Sequence, residues 1–93
     1  MNPHPILSAK LQPNSDRPLY DQLVDIIKKY VSAGILSAGD MLPSESAMCE
    51  SLGISRSTVR QAIGSLEEEG LVVRKQGRGT FIAEPAMRRR NDN

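Results

Sequence analysis

Two residues, Gly53 and Ile54, are all that separate the end of one helical pattern from the N-cap of the next. So short a gap forces two helices to turn sharply against each other, and glycine readily adopts the left-handed backbone that such a stop requires. The helix before the gap is announced by Ser44, an N-cap after Pro43, with Glu45 suited to the positive end of the helix dipole. It turns Ala47, Met48 and Leu52 inward, with Cys49 nearby. The helix after the gap follows the N-cap Ser55 and is predicted from about Arg56 to Glu69, where Gly70 closes it. Two short helices joined by a tight turn containing glycine are the elements of a helix-turn-helix.

The flanks complete a unit. Pro18 is a favourable first helical residue, since its missing N–H would be unpaired there anyway. Leu19, Leu23, Ile26, Ile27, Tyr30 and Val31 follow at helical spacing, with Asp21, Asp25, Lys28 and Lys29 on the other face and Gly34 as the stop. Gly39-Asp40 then predicts a turn, and Met41-Leu42-Pro43 a short extended piece. Beyond Gly70, Leu71–Lys75 and Thr80–Ala83 read as strands joined through Gln76-Gly77-Arg78-Gly79, whose glycines suit a tight hairpin. The predicted fold is mainly α with a small β-hairpin (α+β): three helices followed by a two-stranded wing, a winged helix-turn-helix. Three of the six prolines fall in the first 15 residues. Residues 1–16 are therefore expected to form a flexible arm, 17–84 the folded domain, and 85–93, with Arg88-Arg89-Arg90, a linker or tail.

At 93 residues with one Phe, two Tyr and no Trp, the core must be small and aliphatic. No apolar run approaches the roughly 20 residues of a membrane span, and Met1–Pro5 lacks the pattern of a signal peptide. A lone Cys49 excludes an internal disulfide and fits a reducing, cytoplasmic setting. The single histidine, His4, lies in the expected arm, so no His/Cys or His/Ser pair is available in the folded unit. Neither an enzyme, a metal site nor a cofactor is expected. The net charge of +1 names no partner, but it hides a division: residues 1–55 carry a net −2 and residues 56–93 a net +3. Segregated charge can make an anion-binding face on a neutral protein, although a solvated basic surface would look the same.

The third helix makes the pattern specific. On a helical wheel, Val59, Ala62, Ile63 and Leu66 share one side, while Arg56, Ser57, Arg60, Gln61 and Gly64 share the other. Two guanidinium groups one turn apart, followed by hydroxyls (Ser57, Thr58) and an amide (Gln61), suit a helix whose N-terminal half enters the major groove of DNA. Gly64 would permit close approach of the backbone. In the simpler account these residues form a solvated helix face, and Ser55 serves as a cap in either case. At the hairpin tip, Gln76, Gly77, Arg78 and Gly79, with Lys75 and Arg74 at the base, place one arginine between glycines, a shape that can enter a minor groove. A winged helix can also use a basic face to meet an acidic protein.

Several stretches together resemble the N-terminal DNA-binding domain of GntR-family bacterial transcriptional regulators. They are Pro18-Leu19-Tyr20, Gly39-Asp40, Leu42–Glu45, Leu52–Ala62, Leu66–Val72 and Gln76–Phe81. The wording of Ser55–Ala62 is closer to the HutC-type branch than to the YtrA-type one. The resemblance implies sequence-specific binding of double-stranded operator DNA by a metabolite-responsive repressor. It places Arg56 and Arg60 on bases or nearby phosphates of the major groove, Ser44, Ser57 and Thr58 on phosphates, and Gln76, Gly77 and Arg78 at the minor groove. One position departs: many members carry Arg where this chain has Ser46. A hydroxyl cannot make a bidentate guanine contact, so Ser46 is expected either to touch phosphate only or to accompany a different operator. In the family a larger C-terminal domain binds a small-molecule effector and supplies most of a homodimer interface. The chain is thus expected to be the DNA-reading head of a longer protein, with no effector pocket of its own and weak, salt-dependent binding.

Overall fold

Ser44, Ser55 and Pro18 each hold an extended backbone, with ψ between +150° and +161°, and each is followed by a helix. A computed structural model describes residues 4–84. Helix α1 spans Leu19–Ser32, α2 Glu45–Leu52 and α3 Arg56–Glu68. The two serine caps work as expected: Ser44 Oγ accepts from the Ala47 N–H at 3.0 Å, and Ser55 Oγ accepts from the Thr58 N–H at 3.1 Å. Pro18 is the cap of α1 rather than its first helical residue, because its carbonyl already accepts from the Asp21 and Gln22 N–H groups. Gly53 takes the left-handed conformation (φ +69°) that lets the chain leave α2 and reach the N-cap of α3, Ser55, two residues later.

The wing is an antiparallel pair, β1 (Val72–Lys75) and β2 (Gly79–Ile82), registered Val72↔Ile82 through Lys75↔Gly79. Gly79 belongs to β2, so the connection is one residue shorter than Gln76–Gly79. The extended piece before α2 lies against the far edge of β2. Leu42 N–H donates to the Thr80 carbonyl, Gly39 N–H to the Ile82 carbonyl, and Ile82 N–H to the Asp40 carbonyl, each at 2.8 Å. Those bonds tie the entry to α2 directly to the wing.

Val59, Ala62, Ile63 and Leu66 of α3 are buried, as their spacing predicts, against Leu23 and Ile27 of α1, Met48 of α2 and Val72 and Ile82 of the wing. The expectation for residues 1–16 needs correction. Pro5–Ser8 form a 3₁₀ turn capped by His4, whose Nδ1 accepts from the Ile6 N–H at 3.1 Å. Ile6 is fully buried in the core, and Leu7 and Leu11 pack against it. The segment is further clasped by Gln22, a buried polar side chain of α1. Its Oε1 accepts from the Gln12 N–H at 2.7 Å, and its Nε2 donates to the carbonyls of Gln12 and Arg17 at 3.0 and 2.9 Å. A buried amide with its hydrogen bonds made is affordable, whereas unmade ones would not be. Within the described part of the arm, Ile6 is thus a piece of the core and Leu7 and Leu11 pack against it, while residues 12–16 lie exposed on its surface. The linker expected over 85–93 lies outside the described residues.

Ile6→Ala is expected to destabilise the domain by about 2–4 kcal/mol, and Gln22→Ala by about 1–3 kcal/mol through the orphaned backbone groups of Gln12 and Arg17. Urea denaturation measures both, and unchanged midpoints would mean that the N-terminal segment is not docked in solution.

Candidate nucleic-acid interface

With its apolar side buried, α3 presents Arg56, Ser57, Arg60 and Gln61 to solvent. The N-terminus of α2 comes to meet them. Arg60 Nε donates to both carboxylate oxygens of Glu45, at 3.2 and 3.3 Å, and Arg56 Nη1 lies 3.7 Å from the same Oε1. Arg56 Nη2 donates to Ser46 Oγ at 3.2 Å. Arg56 and Arg60 nevertheless keep 56% and 60% of their side-chain surface exposed. Exposed pairs of this kind are worth about 0–1 kcal/mol, so they orient the guanidinium groups without locking them.

The α3 N-terminus carries a hydroxyl cluster. Ser55 Oγ lies 2.8 Å from Thr58 Oγ1 and 3.2 Å from Ser57 Oγ, so the capping serine is bonded on several sides. A groove of about 470 Å³ runs from the start of α2 across to the wing, lined by Ser44, Ser46 and Arg56 on one side and Arg74, Arg78, Gly79 and Thr80 on the other. At the wing tip the Arg78 N–H donates to the Lys75 carbonyl at 2.8 Å, and Gly77 sits at φ +77° in that turn. Gly79, at φ +128°, faces Met41 so closely that a Cβ would lie 3.2 Å from its sulfur.

Among the predicted site residues, Ser44, Ser46, Arg56, Arg78 and Gly79 therefore share one groove, and Arg60 joins them through Glu45. Ser55, Ser57 and Thr58 cluster at the α3 N-terminus, and Gln76 and Gly77 stand exposed at the tip. Two residues lie elsewhere. Gln61 lines a separate depression with Tyr20, Gly64, Ser65 and Glu68. Lys75 is on the opposite face of the wing from Arg74, as strand alternation requires, with its ammonium 5.3 Å from the centre of the Phe81 ring.

The sequence reading missed two features of this face. Arg74 lines the groove while its Nε lies 3.3 Å from Glu67 Oε1 on α3. In the sequence Glu45 stands out only as a first-turn acid, yet in the structure it contacts both arginines. The available signal was its position as the first residue of α2, on the helix joined by the tight turn to the two arginines. Among the described residues no group of three or more His, Cys, Asp or Glu is placed to hold a metal ion, and no helix is long and apolar enough to cross a membrane.

Three helices, a tight turn and a basic-tipped hairpin define a winged helix-turn-helix domain. Residues 19–82 match the family of bacterial regulatory proteins called gntR, and the chain belongs to that GntR family. It is 46% identical over 70 residues to the HTH-type transcriptional repressor NagR of Bacillus subtilis (strain 168), covering 75% of this chain and 29% of NagR. It is 40% identical over 75 residues to the histidine utilization repressor of Klebsiella aerogenes, covering 80% of this chain and 31% of that protein. The chain spans about a third of the length of the curated relatives it matches. Among solved structures, the DNA-binding domain of AraR in complex with operator ORX1 superimposes with a TM-score of 0.73 at 34% identity, covering 81% of this chain and 95% of that one.

The two contrasting glycines give a direct check on this geometry. Gly79→Ala is expected to destabilise the wing by about 1–3 kcal/mol, through its positive φ and the contact with Met41. Gly64→Ala is expected to stabilise by about 0.5–1 kcal/mol, since Gly64 is in mid-helix and an added Cβ meets nothing within 4 Å. Thermal melts that shift both the same way would contradict the described backbone.

Proposed function

We propose that this chain is the operator-reading domain of a longer transcriptional repressor acting in the bacterial cytoplasm. Arg56 and Arg60 of α3 contact bases in the major groove. Ser44, Ser46, Ser55, Ser57 and Thr58 serve the flanking phosphates, and Gln61 and Lys75 extend the contact at its edges. Gln76, Gly77, Arg78 and Gly79 bring the wing to the minor groove. The observation that carries this reading is the convergence of the α2 start, Arg56 of α3 and the wing on one continuous groove, with Arg60 tied to its rim through Glu45. Helix N-termini offer free N–H groups and a positive dipole end to phosphate, and arginine is the usual bidentate partner of guanine. The operator complex of the AraR domain and the repressor names of the relatives support the same reading. The full-length protein would pair two such heads through a second domain that also binds a small-molecule effector. This head alone therefore lacks the gain in effective concentration of a tethered pair.

The double variant Arg56→Ala/Arg60→Ala is expected to keep its circular dichroism spectrum and to lose at least about tenfold in affinity for duplex DNA, since each bidentate contact is worth about 1–3 kcal/mol. Unchanged affinity would sink the reading and turn attention to a protein partner for the same face. Arg78→Ala is expected to weaken binding most at sites flanked by A·T pairs, where a narrow minor groove attracts an inserted arginine. An equal loss on every sequence would reduce Arg78 to a phosphate contact.

A further inference from the structure

We propose that Glu45 is a selectivity residue of this face: it presents Arg60 for base contact and competes with phosphate for both arginines. The inference rests on the DNA-reading proposal above and deepens it.

A guanidinium has two hydrogen-bonding edges, one along Nε and one formed by the two terminal nitrogens. Glu45 takes the Nε edge of Arg60 with both oxygens. Among the described residues the terminal nitrogens of Arg60 donate no hydrogen bond, so the end-on fork that matches O6 and N7 of guanine stays open. Arg60 can thus meet a base while still paired to Glu45. Arg56 is held the other way round. Its terminal nitrogens face Ser46 Oγ and Glu45 Oε1, so its fork is engaged until a contact replaces these partners.

Glu45 is also the least exposed carboxylate among the ion pairs of this domain, with 30% of its side chain open against 39–45% for the others. It stands at the α2 N-terminus, beside Ser44 and Ser46, at the entry to the groove that a phosphate would approach. A phosphate on arbitrary DNA that takes the open fork of Arg60 brings a full negative charge up to the fixed charge of Glu45, and one that draws Arg60 toward the backbone must also break that pair. A guanine in register meets Arg60 without either cost. The carboxylate therefore weakens indiscriminate binding more than it weakens the matched contact.

The test uses the 93-residue chain and a pool of random-sequence 20-bp duplexes. Affinity for the pool is measured first, and sequence enrichment is then followed through rounds of selection. Glu45→Gln removes the charge and keeps the size. It is expected to raise pool affinity by up to about eightfold at 0.1 M salt, the effect of one more released counterion, and to blunt enrichment. Glu50→Gln, the same charge change at an exposed position of α2 away from the arginines, is the control. It is expected to leave enrichment unchanged and to raise pool affinity less. Glu45→Asp keeps the charge but withdraws it by one methylene, so enrichment should fall while pool affinity holds. Thermal melts of each variant confirm that the fold is intact. Equal effects of Glu45→Gln and Glu50→Gln on pool affinity, or undiminished enrichment by both Glu45 variants, overturn the role of Glu45 and leave DNA reading standing. An unaltered chain that enriches no sequence overturns both.

Discussion

The burial of Val59, Ala62, Ile63 and Leu66 along one side of α3 is the constraint on which the rest depends. These four side chains are 0–3% exposed and pack among residues contributed by α1, α2, β1 and β2. Close-packed interiors resist even single-methylene changes, so a helix held on one side by every neighbouring element cannot roll. Its free side inherits that rigidity. Arg56 and Arg60 are exposed and long, yet their Cα atoms are fixed to the core through Val59 and Ile63, each three residues further along the helix. A reading head needs this combination of a backbone set to within a fraction of an ångström and side-chain tips able to adapt.

The same packing sorts the charges. Glu67 and Glu69, at the C-terminal end of α3, pair with Arg74 of β1 and Lys28 of α1. Asp21 and Asp25 pair with Arg17 and Lys29 on the outer face of α1. The hydrogen bond that Arg17 donates to Asp21 raises the Arg17 pKa above its ordinary value against the opposing pull of desolvation. Each of these is a half-exposed surface pair that contributes little to stability. Their consequence is spatial: Asp21, Asp25 and Glu69 are engaged away from the α2–wing groove, Glu67 meets Arg74 at its edge, and Arg78 has no acidic partner among the described residues. A chain with a net charge of +1 thereby presents a groove edged by arginines on both sides.

Local signals and tertiary ones were legible to different degrees. Caps and glycine stops are read from two or three neighbouring residues, and so Ser44, Gly53, Ser55 and Gly70 located α2 and α3 to within a residue. The buried side of α3 followed from periodicity alone. The N-terminal segment did not follow. Ile6, Leu7 and Leu11 are too few and too interrupted by proline to show a period, and the clasp by Gln22 joins residues ten apart through a side chain that reads as ordinary helix surface. The docking of Gly39–Leu42 on β2 was hidden for a related reason, since only backbone groups make it. At the site, residue types were legible and pairings were not. The wheel placed Arg56 and Arg60 side by side but had no means of placing Glu45 of another helix between them.

Ser46 shows why such pairings matter for what a recognition face can distinguish. An arginine at this position would add a third guanidinium to a cluster that already shares one carboxylate, and its length would compete with Arg56 for the same space. The serine instead accepts a hydrogen bond from Arg56 Nη2, so the α2 start acts on the recognition helix as well as on whatever approaches it. In water such a neutral acceptor holds an arginine only weakly, and so Arg56 is positioned at rest and free to exchange. Arg60, held by a carboxylate along its Nε edge, is the firmer of the two. The departure at Ser46 thus changes more than one contact: it leaves this face with two arginines of unequal freedom, and the firmer one is presented by a residue that itself need not touch a base.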